Sequence, residues 1–204
     1  MSITNIIKNN KNVNINIYNC KNKKCCLSDS DSNDDEEELF KHIDGYDNYS
    51  ISNQGRVRND STNHILKSYK NKQGYFRVGL SKNGKSKTHL VHRLVGLAFL
   101  ENTDNKPIVD HIDGDPTNNN ICNLRWATGE QNAWNTKSSN SYGKGVYKTS
   151  CPELYNGEPY FYSTICHKGK IHRLGIFKTA EEASIVYEAK AKELFGEFYR
   201  APKK

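Results

Sequence analysis

The sequence has no apolar run long enough to cross a membrane, and hydrophobic residues make up only 35% of its 204 positions. A membrane-spanning helix needs roughly 20 consecutive apolar residues. The Asn- and Lys-rich text of residues 1–16 also lacks the compact apolar block and the small-residue cleavage site of a signal peptide. These absences predict a protein without a membrane partner that stays inside the cell, in the cytoplasm or nucleus of its host.

Cysteine pairs with metal-binding spacing are missing too. No two of the six cysteines form a Cys-x-x-Cys pair, so we expect reduced thiols and no zinc knuckle. The cysteines are Cys20, Cys25, Cys26, Cys122, Cys151 and Cys166. The sequence also shows no coiled-coil seam and no internal repeat. We therefore expect a monomer with no obligate protein partner.

Basic residues outnumber acidic residues outside the N-terminal tail. The net charge is +7, but residues 1–39 hold seven acidic side chains against five lysines, which leaves +9 on the rest of the chain. A basic body with aromatic side chains among its lysines and arginines suits a phosphate backbone. A solvated basic surface is the alternative, because charge alone does not separate the two. An RNA-associated protein is disfavoured, since the aromatic pattern of RNP motifs is missing.

The most informative stretch is the run Val109–Gly114, in which Asp110 and His111 are adjacent. This pair places a metal-binding carboxylate beside a side chain that can act as a general base. Asn123 follows twelve residues after His111, within residues 122–128, a segment typical of a returning strand.

A helix is predicted directly after that strand. Thr128 and Gln131 fit a capping box, with a hydroxyl at the cap and an amide three residues later. Asn132 is therefore expected in the first turn of the helix, where its side chain can point back at the hairpin that carries Asp110 and His111.

Strand, long loop, strand and helix, with Asp-His, Asn and Asn in these places, resemble the HNH endonuclease family and its ββα-metal active site. The likeness is to the phage and intron homing branch, in which the last motif position is Asn. The resemblance implies hydrolysis of phosphodiester bonds in double-stranded DNA. His111 is the expected general base, and Asp110 and Asn132 are the expected oxygen ligands of one divalent ion, Mg²⁺ or Mn²⁺. By resemblance, Asn123 holds the loop and His111 in position without touching the metal.

A non-catalytic DNA-binding regulator is the alternative function. It would keep the basic surface but would need no metal, and it could tolerate the loss of Asp110, His111 or Asn132. All three residues are present, which favours the nuclease.

The sequence before the Asp110-His111 motif predicts short β-strands. Gly45-Tyr46, the Tyr-x-x-Ser of residues 49–52 and the Gly-x-Val of residues 55–57 resemble a module that precedes the core of homing-type nucleases, and we assign it residues 39–90. Within it, Asn83-Gly84 predicts a tight hairpin. Residues 1–38 are too polar to bury a core and are expected to form a disordered tail.

The nuclease core is assigned residues 91–137. Residues 91–99 have helical spacing, with Val91, Leu94, Val95 and Ala98 on one face. His92 and Arg93 match the His-Arg pair of the family on this helix. The resemblance implies a structural or phosphate-contacting role for them, and Arg125 is a further expected DNA contact.

A second module is assigned residues 142–200, with three antiparallel strands and one helix. Gly145-Val146-Tyr147 and the stretch from Leu174-Gly175 to Ala183 resemble the DNA-binding domain of the plant ethylene-response-factor type. The resemblance implies a sheet that enters the major groove. The expected contacts are Lys144, Lys148, Tyr162 and Arg173. Lys144 stands where Arg is common and an aromatic other than Trp occupies the Trp region, so no sequence preference follows.

The predicted fold class is therefore α+β. It comprises a ββα-metal nuclease core flanked by a small β-rich module and by a three-stranded antiparallel sheet with one helix. Because the capping box and the hairpin lie wholly upstream of residue 142, we expect deletion of residues 142–204 to leave the active-site hairpin and helix intact.

Overall fold

A computed structural model describes residues 37–150 and 160–200. Across these residues the chain forms four small antiparallel sheets and three α-helices, which confirms the predicted α+β class. The predicted N-terminal tail lies almost wholly outside the described residues. None of the helices within the described ranges is long and apolar enough to span a membrane.

The N-terminal module consists of two sheets. The first contains β1 Phe40–Ile43, β2 Tyr46–Ser52, β3 Val57–Asn59 and β4 His64–Ile65, and the second contains β5 Tyr69–Lys70, β6 Phe76–Lys82 and β7 Lys85–Leu90. Asn83 and Gly84 both have positive φ, 53° and 73°, as a tight hairpin turn between β6 and β7 requires. The predicted hairpin is confirmed.

Helix α1, Val91–Phe99, starts directly after β7 and packs both sheets against the nuclease hairpin. Its buried face contains Val91, Leu94 and Val95, and Ala98, the fourth residue expected there, is partly buried. A β-carbon placed on Gly96 would lie 2.6 Å from a methyl carbon of Val109. The helix backbone therefore approaches the strand of Asp110 and His111 as closely as a glycine permits.

The nuclease hairpin pairs β8, Ile108–His111, with β9, Leu124–Ala127. A single 3-10 turn, Ile121–Asn123, comes before β9, so the return strand starts two residues later than predicted. Helix α2, Gly129–Asn135, follows with both hydrogen bonds of the capping box formed between Thr128 and Gln131. The hydroxyl and amide satisfy backbone groups that the first helical turn leaves open.

The C-terminal module has the predicted three strands and one helix: β10 Val146–Lys148, β11 Phe161–His167, β12 Lys170–Phe177 and α3 Ala180–Phe195. Helix α3 ends at Gly196, whose φ of 51° suits a glycine. At the start of α3 only half of a capping box forms. Thr179 accepts a hydrogen bond from the Glu182 N–H, but the Glu182 carboxylate accepts from Lys178, one residue before the cap.

The C-terminal module packs directly on α2. The Trp134 ring stacks on Phe195 with ring centroids 4.3 Å apart, and the Lys144 ammonium donates to three carbonyl oxygens at the end of α2. These contacts argue against the expectation that residues 142–204 can be removed without affecting the nuclease helix. Side-chain contacts that stabilise α2 come from both sides of residue 142.

Candidate active site

One cleft of about 620 Å³ brings together five of the eleven residues expected to act on DNA. It lies where β8, the start of α1 and the end of α2 meet. Its walls include His92, Arg93, Asp110, His111, Gly114, Asn132, Asn135, Lys137 and Arg200. The last three were not expected at the site.

The Asp110 carboxylate is buried and held by two side chains. The strand register sets Asp110 opposite Arg125, whose Nε donates to Oδ2 at 3.0 Å and whose Nη2 lies 3.0 Å from the same oxygen in an ion pair. Arg125 also donates through Nη1 to the backbone oxygen of Glu197 and lies over the Phe198 ring. These contacts occupy the guanidinium, so the expected DNA contact of Arg125 is not supported. Its position instead fixes the carboxylate.

Asn135 is one of the site residues that the sequence did not predict. Its Nδ2 lies 3.0 Å from both oxygens of Asp110 and 2.6 Å from the backbone oxygen of His111, and the side chain is buried. Residues three apart on a helix share a face. Asn135 is three residues after Asn132, so this spacing was the available signal.

Asn132 lies in the first turn of α2, as predicted, and lines the cleft. Its backbone N–H donates to the oxygen of Thr128. Among the described residues its side-chain amide has no hydrogen-bond partner. Its oxygen is therefore not committed to another group, unlike the side chain of Asn135.

His111 is held with one ring nitrogen bonded and the other available. Its Nε2 lies 3.2 Å from Oδ1 of Asn119, whose Nδ2 donates to the backbone oxygen of Thr117. Because an amide oxygen can only accept, the bonded Nε2 carries the proton in the neutral imidazole and Nδ1 keeps its lone pair. This tautomer can accept a proton from water at Nδ1.

The N-terminal module contacts the loop between β8 and β9 that carries Asn119. The Asn53 backbone oxygen accepts a hydrogen bond from the N–H of Ile121 at 2.8 Å. A β-carbon on Gly55 would lie 2.8 Å from the β-carbon of Asn119 and only fits if that residue moves. The N-terminal module therefore fixes the position of the loop that carries Asn119 and orients His111.

Asn123 fastens the loop between the two hairpin strands. Its Oδ1 accepts from the N–H of Asp113, and its Nδ2 donates to Oδ1 of Asp113 and to the backbone oxygen of Asn118, all within 3.0 Å. The side chain is buried and does not line the cleft.

His92 is buried next to His111, with ring centroids 4.8 Å apart. Burial, followed by repulsion from His111 and Arg93, lowers the pKa of His92 to about 4. At neutral pH its ring is uncharged, so it cannot act as a cationic phosphate contact. Arg93 is exposed, lines the cleft and donates to the backbone oxygen of Pro107.

The residues of the cleft fit one hard divalent ion. No cluster of three or more His, Cys, Asp or Glu side chains that could hold a metal occurs among residues 37–150 and 160–200. Oδ2 of Asp110 already accepts from Arg125 and Asn135, whereas Oδ1 accepts only from Asn135 and has a lone pair left. One carboxylate and the Asn132 amide oxygen suit Mg²⁺ or Mn²⁺, which tolerate water and phosphate at their other positions.

The expected DNA contacts of the C-terminal sheet separate into two groups. Tyr162 and Arg173 lie on the face of the sheet that is turned away from α3. Tyr162 pairs with Tyr147 and Arg173 pairs with Thr164 on the neighbouring strands. The residues next to these partners, Val146 and Ile165, are buried, and successive side chains of a strand point to opposite faces. Lys148 shares the parity of Val146 and lies on the other face. Lys144 is engaged at the end of α2. The structure therefore does not support the prediction that Lys144 and Lys148 contact DNA.

A two-stranded hairpin followed by a helix, with Asp and His ending the first strand and asparagines of the helix facing the same cleft, is the architecture of a ββα-metal nuclease. Residues 89–134 match the model of HNH endonucleases, and residues 38–81 match that of the NUMOD4 motif. The chain belongs to the HNH endonuclease family.

Relatives occur in phages and in a giant virus. DNA endonuclease I-HmuI of Bacillus phage SP01 is 44% identical over 48% of this chain and 58% of its own length. An uncharacterized HNH endonuclease of Acanthamoeba polyphaga mimivirus is 43% identical over 46% of this chain and 28% of its own length. Protein 3.8 of Escherichia phage T7 is 35% identical over 45% of this chain and 73% of its own length. This chain thus spans less than two thirds of the first two relatives.

A solved structure titled "DNA binding and cleavage by the HNH homing endonuclease I-HmuI" is 31% identical in sequence. The match covers 78% of this chain and 83% of that chain, with a TM-score of 0.46.

Proposed function

We propose that this protein is a metal-dependent DNA endonuclease of the homing type, with His111 as the general base. The observation that carries the proposal is the Asn119 hydrogen bond to Nε2 of His111, which leaves Nδ1 as the proton acceptor in the cleft that Asp110 lines. A base that takes a proton from water beside a metal-binding carboxylate is what hydrolysis of a phosphodiester needs.

In this proposal Asp110 and Asn132 hold the divalent ion. The ion supplies charge neutralisation at the phosphate and at the leaving 3′ oxygen when it is bound. Arg125 and Asn135 hold the Asp110 carboxylate in its orientation, and Asn123 holds the loop. His92 packs uncharged against the His111 ring and limits its movement.

We further propose that the C-terminal module is a DNA-binding domain of the ethylene-response-factor type. The face of its sheet that is turned away from α3 carries Arg173 and the stacked rings of Tyr147 and Tyr162, whose centroids are 5.3 Å apart. A basic side chain beside flat amphipathic rings suits contact with a DNA groove. In this arrangement the sheet selects the DNA site and the hairpin cuts it.

An assay with supercoiled plasmid distinguishes the proposed nuclease function from that of a non-catalytic DNA-binding regulator. With Mg²⁺ or Mn²⁺ we expect nicked or linear plasmid, and with EDTA we expect retarded plasmid of unchanged form. Retardation without cleavage under both conditions would instead identify a non-catalytic DNA-binding protein.

The metal ligands are tested by Mn²⁺ calorimetry on single variants. Asp110→Ala and Asn132→Ala should each weaken Mn²⁺ binding, because each removes an oxygen ligand. Asn123→Ala is the matched control and should leave the affinity nearly unchanged. If Asn123 mattered more for the affinity than Asn132, the roles of the two asparagines would have to be exchanged.

A further inference from the structure

We propose that Arg200, a residue of the C-terminal module, contacts the scissile phosphate and is a catalytic residue of the nuclease. The inference rests on the proposed endonuclease activity and adds a residue that lies outside the hairpin and helix of the nuclease core. Arg200 lines the same cleft as Asp110, His111 and Asn132.

Packing contacts hold the segment before Arg200 against the nuclease core. Phe195 at the end of α3 stacks on Trp134, and the 3-10 turn Gly196–Phe198 follows. Phe198 is buried beneath the Arg125 guanidinium, which lies 3.9 Å above its ring, and the Glu197 backbone oxygen accepts a hydrogen bond from Arg125. Arg125 therefore links the Asp110 carboxylate to the turn that delivers Arg200.

The guanidinium of Arg200 lies directly on Gly114, three residues after His111. A β-carbon placed on Gly114 would overlap its Nη1, so the close approach depends on a residue without a side chain. Among the described residues Arg200 forms neither a hydrogen bond nor a salt bridge. Its charge and its donors are thus available in a cleft that already contains the base and the carboxylate.

Arg200 also lies on the boundary between two clefts. A second cleft of about 450 Å³ runs between α3 and the segment after α2, and the two share Thr136, Lys137 and Arg200. A DNA strand that passes from one cleft to the other would contact the cationic side chains of Lys137 and Arg200. Guanidinium donors form a planar fork that matches two oxygens of one phosphate. Such donors stabilise the negative charge that develops when the phosphodiester is attacked.

The test is single-turnover cleavage of plasmid in Mn²⁺ by the full chain, with DNA affinity measured separately in EDTA. We expect Arg200→Ala to lower the cleavage rate about a hundredfold, as loss of one transition-state donor typically does, with a much smaller loss of affinity because only one of many phosphate contacts is removed. Millimolar guanidinium should restore part of the rate of Arg200→Ala. Lys190→Ala is the charge-matched control, because Lys190 lies on exposed α3 and pairs with Glu193; it should cleave like the wild type.

The Arg200→Lys variant and thermal melts of all variants distinguish a loss of catalysis from a folding defect. The lysine variant should melt like the wild type and cleave at an intermediate rate, since it keeps the charge and loses the fork. Wild-type cleavage by Arg200→Ala, or an equal loss in Lys190→Ala, would overturn the inference while leaving the proposed nuclease intact. Failure of the wild-type chain to cleave any plasmid would instead overturn the proposed function.

Discussion

Asn119 determines which nitrogen of His111 can take a proton. Its amide oxygen bonds to Nε2 at 3.2 Å, and its β-carbon rests against Gly55 of the N-terminal module. The sequence pointed to Asp110, His111 and Asn132 because residue type and spacing carry that signal. It did not point to Asn119 or Asn135, because their roles depend on how a long loop and a helix fold back on one strand.

We expect Asn119→Ala to slow cleavage by about tenfold or more, since the preferred tautomer of a general base contributes to its rate. Asn119→Asp keeps an oxygen acceptor at the same place and should retain more activity. Single-turnover rates in saturating Mn²⁺ test this expectation. Equal rates for the wild type and Asn119→Ala would show that Asn119 does not orient the base.

The lowered pKa of His92 makes the folded state sensitive to acid. The unfolded chain gains a proton on this residue below its ordinary pKa of 6.5, whereas the folded chain resists protonation until about 4. The contribution of His92 to the free energy of unfolding is therefore fully present above about pH 6.5 and falls as the pH drops towards 4, by at most about 3.5 kcal/mol at about 1.4 kcal/mol per pKa unit.

His92→Gln should flatten this part of the stability curve, because the variant lacks the titrating ring. Urea unfolding in EDTA at pH values above and below the window measures the slope. His64→Gln, at an exposed position, is the control and should keep the wild-type slope. An unchanged slope in His92→Gln would mean that this histidine is not the source.

At the scale of elements, α2 is a helix of seven residues stabilised at both ends. The capping box that closes its first turn was predictable, because it is a local pattern of Thr128 and Gln131. The stabilisation of its C-terminal end was not predictable, because it comes from Lys144, a residue outside the helix. The Lys144 ammonium lies 2.8 to 3.1 Å from three carbonyl oxygens. A cation at a helix C-terminus interacts favourably with the helix dipole.

Lys144→Met should therefore lower the free energy of unfolding by about 1–3 kcal/mol, since it leaves three carbonyls without their charged donor. DNA affinity should stay close to that of the wild type. Lys148→Met removes the same charge from an exposed strand residue and should leave stability unchanged. A loss of DNA affinity in Lys144→Met without a loss of stability would return Lys144 to the DNA-contacting role that its sequence position suggests.

At the scale of the whole molecule, the nuclease core is supported from two sides. The N-terminal module holds the loop of Asn119, and the C-terminal module holds α2 through Phe195 and Lys144. The sequence predicted the β-strands and helices of these modules because hydrophobic periodicity and turn residues are local. It did not predict that they share a site, because the contact between Arg125 and Glu197 joins residues 72 positions apart.

Deletion of residues 142–204 should accordingly lower the melting temperature of the remaining chain and reduce cleavage of generic plasmid. The physical reason is the loss of the Trp134 stack, of the bonds to the end of α2 and of the partner of Arg125. Calorimetric melts and plasmid cleavage on the truncated and full chains provide the measurement. A truncated chain with wild-type melting and wild-type cleavage would show that the nuclease core is independent.

The most direct test of the central claim is the cleavage rate of His111→Ala beside its DNA affinity. A general base contributes about a hundred- to ten-thousand-fold to the rate, whereas affinity depends on contacts of lysine and arginine with phosphates. We predict that the variant binds plasmid like the wild type and, with Mn²⁺ present, loses at least about a hundredfold in single-turnover cleavage. Wild-type cleavage by His111→Ala under the same conditions would contradict the account.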